Sequence, residues 1–274
     1  MSFLITITDE EFRKLSEYIK SNYGIHLKQE KKALVNGRLQ NVLIQSNFKN
    51  FSEYYNYVIH DKSGEATVNL LNKITTNHTF FMREPEHFYY FRDEVLPYLK
   101  ENVRNNDLRI WSAGCSTGEE PYTLAMILDE FFGAEKAMWD SKILATDISK
   151  RALEAAGNGK YGNQDIAPLP LNWKMNYFER VDDSSSVVCD KIKKEVIFRS
   201  FNLMNKTFSF KRKFHVIFCR NVMIYFNNEV KWDLINKFYD ATEEGGYLFV
   251  GHSESFNREA MRYKFIKPAI YRKE

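Results

Sequence analysis

Several features that would assign this chain to a specialised class are scarce or missing. Only three of its 274 residues are cysteines, and no Cys-x-x-Cys pair occurs, so a disulfide framework is not expected. No apolar run approaches the roughly 18 residues of a membrane-spanning helix, and the amino terminus lacks the features of a signal peptide. The 39 Lys and Arg residues nearly balance the 36 Asp and Glu residues, and a net charge of +3 does not suggest nucleic-acid binding. We therefore expect a cytoplasmic monomer that does not insert into membranes.

The first 76 residues are typical of an all-helical domain. Thr8 and Glu11 have the spacing of a capping box, in which a hydroxyl and a carboxylate satisfy the free amides at a helix start. Val35, Leu39, Val42 and Leu43 then recur at helical spacing and predict the buried face of a second helix. No Gly-rich or Pro-rich linker follows this segment.

The pattern changes after residue 76. Residues 77–107 predict a linking segment and a first helix, which starts near Glu84 and Pro85. From residue 108 to 274 short apolar runs alternate with amphipathic segments, which favours an α/β domain with a largely parallel sheet. The predicted strands are 108–113, 143–146, 196–201, 214–219 and 247–251, and helices are expected from Glu119, Ile148 and Asn228. A polar stretch at 182–190 interrupts the alternation and indicates an insertion.

A glycine turn between the first strand and its helix is the strongest local signal. Gly114 and Gly118 would let the backbone approach a ligand, but their G-x-x-x-G spacing is neither a dinucleotide fingerprint nor a phosphate loop. The acidic pair after Gly118 would repel a pyrophosphate and suits a cationic ligand. Asp147 ends the next strand, where a carboxylate can accept hydrogen bonds from ribose hydroxyls. A nucleoside with a positive centre points to S-adenosylmethionine, and the alternative is a tight turn whose acidic residues only favour the helix.

Six motifs follow one another along the chain, at 77–84, 112–122, 145–148, 202–203, 217–226 and 251–254. In this order they resemble the CheR-type chemotaxis receptor methyltransferases over nearly the whole length. The resemblance implies a Rossmann-like S-adenosylmethionine-dependent domain behind the helical domain, with a small β-subdomain inserted near 163–195. It also implies methyl transfer to glutamate side chains on cytoplasmic helices of chemotaxis receptors, which gives glutamyl methyl esters and S-adenosylhomocysteine. One departure is Met82, which stands where the family motif has a phenylalanine.

The resemblance also implies site residues. It places Arg83 and Tyr225 near the transferred methyl group as catalytic candidates, although an aromatic residue after a strand is more often part of a core. Arg83 could pair with the carboxylate of the cofactor or with that of the substrate, and both readings stay open. The candidates for cofactor binding are Asn77, Thr79, Arg83, Gly114, Glu120, Asp147, Asn202, Leu203, Arg220 and Asn221.

Other functions are less compatible with the sequence. An enzyme that methylates DNA bases would carry Asp/Asn-Pro-Pro-Tyr/Phe where this chain has Asn221-Val222-Met223-Ile224, and no Pro-Pro pair occurs. The six histidines form neither an H-x-x-x-H motif nor a cluster with cysteines, so no metal is expected. Two alternatives stay open: an inactive protein of the same fold that senses S-adenosylmethionine, and a methyltransferase for another carboxylate.

A basic stretch near the start of the second helix predicts a partner surface. Lys28, Lys31, Lys32 and Arg38 stand against Glu30 alone, and most clusters of this kind are merely solvated. The family resemblance favours a surface that meets the acidic receptor helices. Some relatives bind a receptor peptide through a glycine-containing loop of the β-subdomain. We expect no such tether here, because residues 181–190 contain no glycine.

Overall fold

The computed structural model describes residues 5–75, 79–254, 256 and 261–274. It contains two compact units. The helical unit comprises Met1–His78 and Tyr225–Lys231, and the sheet unit comprises Thr79–Ile224 and Trp232–Glu274. None of the helices in the described ranges is long and apolar enough to cross a bilayer.

The helical unit contains α1 (Asp9–Tyr23), α2 (Lys32–Gln45), α3 (Phe51–His60) and α4 (Glu65–Ile74). The capping box is present at the start of α1, because Glu11 N donates to Thr8 Oγ1 at 3.2 Å and Thr8 N donates to Glu11 Oε2 at 2.9 Å. The stripe predicted on α2 is fully buried at Val35, Leu39 and Leu43, whereas Val42, also predicted to be buried, is partly exposed at the edge of the stripe. Burial of such apolar stripes is what stabilises short helices of this length.

The chain returns to the helical unit after the fourth parallel strand of the sheet. His26 N donates to Tyr225 O at 2.9 Å, and Ile25 forms an antiparallel bridge with Phe226. Tyr225 is therefore held by backbone contacts with residues that follow α1. This return has no signature in the sequence, because an isolated hydrogen bond and a single β-bridge leave no periodic pattern.

The sheet unit is built on seven strands. They are β1 (Ile110–Ala113), β2 (Ile143–Asp147), β6 (Val196–Ser200), β7 (Phe214–Cys219), β8 (Thr242–Val250), β9 (Lys264–Lys267) and β10 (Ile270–Arg272). Their order across the sheet is β6-β2-β1-β7-β8-β10-β9. The pairs β1/β2, β1/β7, β2/β6 and β7/β8 are parallel, and β10 is antiparallel to both β8 and β9.

One strand boundary was predicted wrongly. The last parallel strand was expected at 247–251, but β8 begins at Thr242. The pair Gly245 and Gly246 looks like a turn in the sequence, whereas Gly245 instead adopts a φ of 77° inside the strand. This φ is strained for any residue with a Cβ, and an added Cβ would also meet the Tyr98 hydroxyl at 2.5 Å, so both features favour glycine at this position.

Helices connect the parallel strands and cover the sheet. They are α5 (Pro85–Tyr90), α6 (Leu96–Asn102), α7 (Glu119–Phe132), α8 (Lys150–Asn158), α9 (Asn163–Ile166), α10 (Leu171–Tyr177), α11 (Asp190–Lys193) and α12 (Asn228–Ala241). A π-helical turn at Phe91–Val95 joins α5 to α6. Aromatic rings fill the core beneath α5, where Phe218 and Phe249 stack with centroids 4.3 Å apart. These packed rings bury large apolar areas and fix α5 over the sheet.

A second, three-stranded sheet interrupts the alternation. Its antiparallel strands β3 (Lys160–Gly162), β5 (Ser185–Val188) and β4 (Phe178–Arg180) lie in that order. The loop between β4 and β5 is held by Asp182, which accepts hydrogen bonds from Ser184 and Ser185. This carboxylate supplies the local turn contacts in a loop that has no glycine.

Candidate active site

The strand order reverses between β1 and β7. The chain proceeds outward from β1 to β2 and β6 on one side, and β7 and β8 lie on the other. In open α/β sheets, ligands bind where the strand order reverses in this way. The glycine turn follows β1, Asp147 ends β2, and Arg220 and Asn221 follow β7. The fold therefore brings these sequence-predicted residues to one edge.

The glycine turn packs against neighbouring strands through its backbone. Gly114 N and Cys115 N both donate to Thr146 O, at 2.8 and 2.9 Å. Gly114 has a φ of 89°, and an added Cβ would collide with a methyl group of Val222. The turn after β1 and the loop after β7 thus touch at Gly114, and only glycine fits there.

Asp147 is tied to the glycine turn. Its Oδ2 accepts from Ser116 N at 2.8 Å, and its Oδ1 accepts from Ser149 N at 2.9 Å. Burial raises the pKa of Asp147, although the backbone N–H groups around it act in the opposite direction. An ionised carboxylate has about four acceptor positions, which is more than the backbone N–H groups of Ser116, Ile148 and Ser149 occupy. Asp147 can therefore anchor the turn and still accept from a ligand hydroxyl.

A buried ion network joins three segments of the site. Arg220 donates to Glu84 Oε2 at 3.1 Å and to Glu120 Oε2 at 3.0 Å, and its side chain is only 2% exposed. It also donates to the carbonyl of Arg83 and lies over the Phe88 ring, 5.1 Å from the centroid. Burial alone would raise the pKa of Glu84, but Arg220 and Asn221 lower it below its usual range. Arg220 thus links the segment before α5 to the start of α7.

Glu120 is held on both sides by this network. Ser112 Oγ donates to Glu120 Oε1 at 2.7 Å, while Arg220 holds Oε2. Both oxygens of the predicted cofactor ligand therefore already have protein donors. The neighbouring Glu119 accepts from Thr117 Oγ1 at 2.8 Å and is largely buried.

The loop after β7 is shaped by a second buried carboxylate. Glu254 accepts from Gly251 N at 2.6 Å, Asn221 N at 3.0 Å and Met223 N at 2.6 Å. Asn221 Nδ2 in turn donates to Glu84 Oε1 at 3.1 Å. Burial raises the pKa of Glu254 despite its three N–H donors. Glu254 acts as the point where the loops after β7 and β8 are joined.

Non-glycine residues in the left-handed region cluster around this network. Met82, Glu84, Ser116 and Asn221 have φ values of 59°, 54°, 48° and 59°. A left-handed conformation costs an ordinary residue about 1–2 kcal/mol. Strain of this kind persists only where surrounding contacts fix the backbone, and it concentrates at functional sites.

The remaining cofactor candidates lie beside these segments or outside the described ranges. Phe201 N donates to Asp147 O at 3.1 Å, which brings the adjacent Asn202 and Leu203 to the end of β2. Asn202 Oδ1 accepts from Met204 N at 2.9 Å. Thr79 and Arg83 stand in the segment before α5, where the Arg83 guanidinium lies 6.0 Å from the Phe80 centroid. Asn77 lies outside the described residues.

The two catalytic candidates fall in different units. Arg83 belongs to the sheet unit and Tyr225 to the helical unit. Tyr225 is half-buried, and its carbonyl accepts from His26 N. The proposed role of both residues at the methyl group stays a prediction.

The basic stretch divides into two exposed residues and two with internal partners. Lys28 and Lys31 are exposed, and Lys31 ends a short 3₁₀ turn before α2. Lys32 Nζ lies 2.6 Å from Asp9 Oδ1. Arg38 donates to the carbonyls of Ile74 and Thr75, at 3.1 and 3.2 Å, and so stabilises the end of α4.

Two histidines meet at the rim of the network. The rings of His87 and His252 lie 4.6 Å apart, and Glu84 Oε2 is 3.4 Å from His87 Nδ1. No motif in the sequence predicted this pair, because the two histidines are far apart along the chain. Burial, followed by the charge of Arg220, lowers the pKa of His87 to about 3. His87 is neutral at physiological pH.

Sequence reasoning gave no role to Glu84, Glu254 or Ser116. All three stand in the quoted motifs, and that position is the signal that could have drawn attention to them. Cys115 was expected to be a small filler, and burial raises the pKa of its thiol well above the usual range. It is therefore a thiol at neutral pH and not an activated nucleophile.

The residues at this edge fit S-adenosylmethionine. Ser116 Oγ is buried in the glycine turn and has no hydrogen-bond partner among the described residues. A free donor and acceptor in that turn, with Asp147 beside it, suits a nucleoside. The surplus of carboxylates over cations around Arg220 suits a sulfonium charge.

Comparison with known proteins assigns the family. Residues 77–271 match the family model described as "CheR methyltransferase, SAM binding domain", and residues 10–75 match "CheR methyltransferase, all-alpha domain". A chemotaxis protein methyltransferase of Borreliella burgdorferi is 42% identical over 272 residues, which cover 98% of this chain and 96% of the relative. Those of Vibrio parahaemolyticus and Escherichia coli are 34% and 31% identical. They are matched over 96% and 99% of this chain, and over 95% and 93% of their own lengths.

These matches confirm the predicted family, the fold class and the cofactor. The chain belongs to the CheR methyltransferase family, and it is an S-adenosylmethionine-dependent methyltransferase.

Proposed function

We propose that this protein methylates glutamate side chains on the cytoplasmic helices of chemotaxis receptors and forms γ-glutamyl methyl esters. The observation that carries the proposal is the near full-length similarity to proteins named chemotaxis protein methyltransferase, which includes both the helical and the catalytic parts. The proposal places the reaction in the cytoplasm. The comparisons give no support to an inactive sensing protein of the same fold.

The chemistry of the acceptor fits the residues of the site. S-adenosylmethionine supplies an electrophilic methyl group on a sulfonium. A glutamate carboxylate is ionised at neutral pH, so the chain need not remove a proton from it. The task of the protein is then to align the carboxylate with the methyl group and to exclude water. We propose that Arg83 and Tyr225 orient the reacting groups, Arg83 by paired hydrogen bonds to a carboxylate and Tyr225 by one.

We further propose how the cofactor is held. Asp147 accepts from the ribose, and Gly114 with Ser116 provides the close backbone surface beside it. Asn77, Thr79, Asn202, Leu203 and Asn221 complete the pocket. Glu120 and Arg220 act through each other in this proposal, because Arg220 donates to one oxygen of Glu120 and Ser112 donates to the other.

Radiolabelled methyl transfer to a receptor cytoplasmic fragment tests the reaction. We expect label that is released as methanol by mild base, because an ester is cleaved by base and an N-methyl group is not. Receptor fragments with glutamine at the methylated positions should accept no label. Base-stable label, or transfer to small carboxylates but not to the receptor, would refute the proposal.

The exposed basic residues provide a test of the receptor surface. We expect Lys28→Glu with Lys31→Glu to raise the KM for the receptor by about tenfold, because each reversed charge then repels the acidic helices. The dissociation constant for S-adenosylmethionine should not change. Lys49→Glu with Lys62→Glu is the matched control, since both lysines are exposed in the helical unit and the charge change is the same. If both double variants raise the KM for the receptor equally, the effect comes from the net charge of the protein and not from a specific surface at Lys28 and Lys31.

The proposed role of Asp147 in binding the ribose is tested with two variants, because this carboxylate also holds the glycine turn. Asp147→Ala should weaken S-adenosylmethionine binding, but it also removes the acceptor for Ser116 N and Ser149 N. Ser116→Ala is the companion variant, because it keeps both backbone bonds and deletes only the unpartnered hydroxyl. If Asp147→Ala leaves the calorimetric affinity unchanged, the ribose has been placed wrongly.

A further inference from the structure

The cluster formed by Glu84, His87 and His252 lies at the edge of the ion network and has no part in the proposed reaction. One ligand atom from each residue lies within 4.8 Å of those of the other two. Two imidazoles and a carboxylate are the ligand set of several zinc sites, which leave a fourth position for water. We propose that these three residues bind a divalent transition-metal ion of the zinc class.

The state of His87 is the first observation behind this proposal. Its side chain is 1% exposed, and neither ring nitrogen has a hydrogen-bond partner among the described residues. Buried polar atoms are normally paired, so a buried imidazole with two unpaired nitrogens points to a missing partner. A metal ion supplies such a partner for one of these nitrogens.

The second observation is the spacing of the ligand atoms. His87 Nδ1 and Glu84 Oε2 are 3.4 Å apart. Bonds of about 2.05 Å in a tetrahedral zinc site separate the ligand atoms by about 3.4 Å, so this pair already has the required spacing. His252 is exposed on the turn after β8, and rotation of its side chain can close the remaining gap. His87 and Glu84 thus already have the required spacing, and the exposed His252 is the ligand that moves.

The third observation is the charge around the cluster. Arg220 contributes one positive charge, while Glu84 and Glu120 both pair with it and Glu254 lies on the other side of Asn221. Carboxylates therefore outnumber the single guanidinium, and a cation is not excluded by net charge. Glu84 can serve both partners, because its two oxygens offer about four acceptor positions.

Binding of Co²⁺ to the full-length protein tests the proposal, since this ion occupies zinc sites and has visible absorption bands that report its geometry. We expect one Co²⁺ per chain with tetrahedral bands, displaced by Zn²⁺, and a rise in melting temperature with Zn²⁺. His252→Ala should weaken binding by at least about tenfold and abolish those bands. His26→Ala is the control, because His26 is also exposed and lies in the other unit.

Loss of the bands in His252→Ala but not in His26→Ala supports the site. Glu84→Gln provides a second variant, and circular dichroism shows whether either variant is folded. Absence of stoichiometric binding to the unaltered protein, or binding that survives both His252→Ala and Glu84→Gln, would overturn the proposal. Methyl transfer is not a readout here, so the result is independent of the proposed function.

Discussion

Replacing Arg220 with methionine should destabilise the sheet unit by about 3–4 kcal/mol. The guanidinium is 2% exposed and pairs with Glu84 and Glu120, whose side chains are 16% and 13% exposed. Removing one partner of a buried ion pair typically costs 3–5 kcal/mol, because a charge remains buried without its partner. Here Ser112 still donates to Glu120 and Asn221 still donates to Glu84, which favours the lower end of that range. The lost contact with the Phe88 ring adds roughly 1 kcal/mol.

Urea unfolding followed by circular dichroism measures this effect. The urea concentration at the midpoint should fall, and the slope of the transition should stay the same. An unchanged slope shows that the variant and the unaltered protein unfold in the same kind of transition. Arg262→Met is the matched control, because Arg262 is half exposed and pairs with Asp240 on the surface. Its effect should stay within about 1 kcal/mol.

A triple variant distinguishes charge from packing. If the cost comes from unpaired carboxylates, Arg220→Met combined with Glu84→Gln and Glu120→Gln should be more stable than Arg220→Met alone. A loss below 1 kcal/mol for Arg220→Met, or a triple variant that is less stable still, would refute the reasoning. In that event the network would not hold the segments together.

Two further predictions concern other parts of the sheet unit. Gly114→Ala should lower the free energy of unfolding in urea by about 2–4 kcal/mol, because the new methyl group meets Val222 and a φ of 89° is strained for alanine. An unchanged midpoint would mean that the turn after β1 and the loop after β7 separate easily. Burial, followed by the charge of Arg109, lowers the pKa of His215 to about 4 in the folded protein. Between pH 6.5 and pH 4 the unfolded chain therefore binds more protons at this residue than the folded protein does. The free energy of unfolding should fall by about 1–2 kcal/mol as the pH is lowered through that window. His215→Gln should flatten the stability curve in that window, and identical curves for both proteins would contradict this.

Local signals in the sequence were sufficient to predict many of the helices and strands. The Thr8 capping box and the Val35 stripe depend on residues three or four apart, and the structure contains both. Apolar runs likewise located β1, β2, β6 and β7 within two residues of their observed ends. These features follow from backbone period and from hydrogen bonding close in sequence, so they can be predicted without the fold.

The pairings within the site could not be predicted from such signals. Arg220 meets Glu84 only because the segment before α5 reaches the end of β7, and no periodicity records that encounter. The same holds for His87 with His252, which meet across α5 and the turn after β8. Arg38 was assigned to a partner surface because its charge is visible, whereas its hydrogen bonds to the end of α4 depend on how two helices pack.

The ion network and the strained backbone are connected physically. Met82, Glu84 and Asn221 each occupy the left-handed region, at a cost of about 1–2 kcal/mol for an ordinary residue. The contacts that hold this stretch are Arg220 on the Arg83 carbonyl, Asn221 on Glu84, and Glu254 on Asn221 N. The same hydrogen bonds therefore maintain the unfavourable backbone and fix the segment that carries Arg83. Loss of Arg220 should leave buried carboxylates without their partner and should also let the strained backbone relax. The stability of the sheet unit and the position of Arg83 are therefore expected to change together.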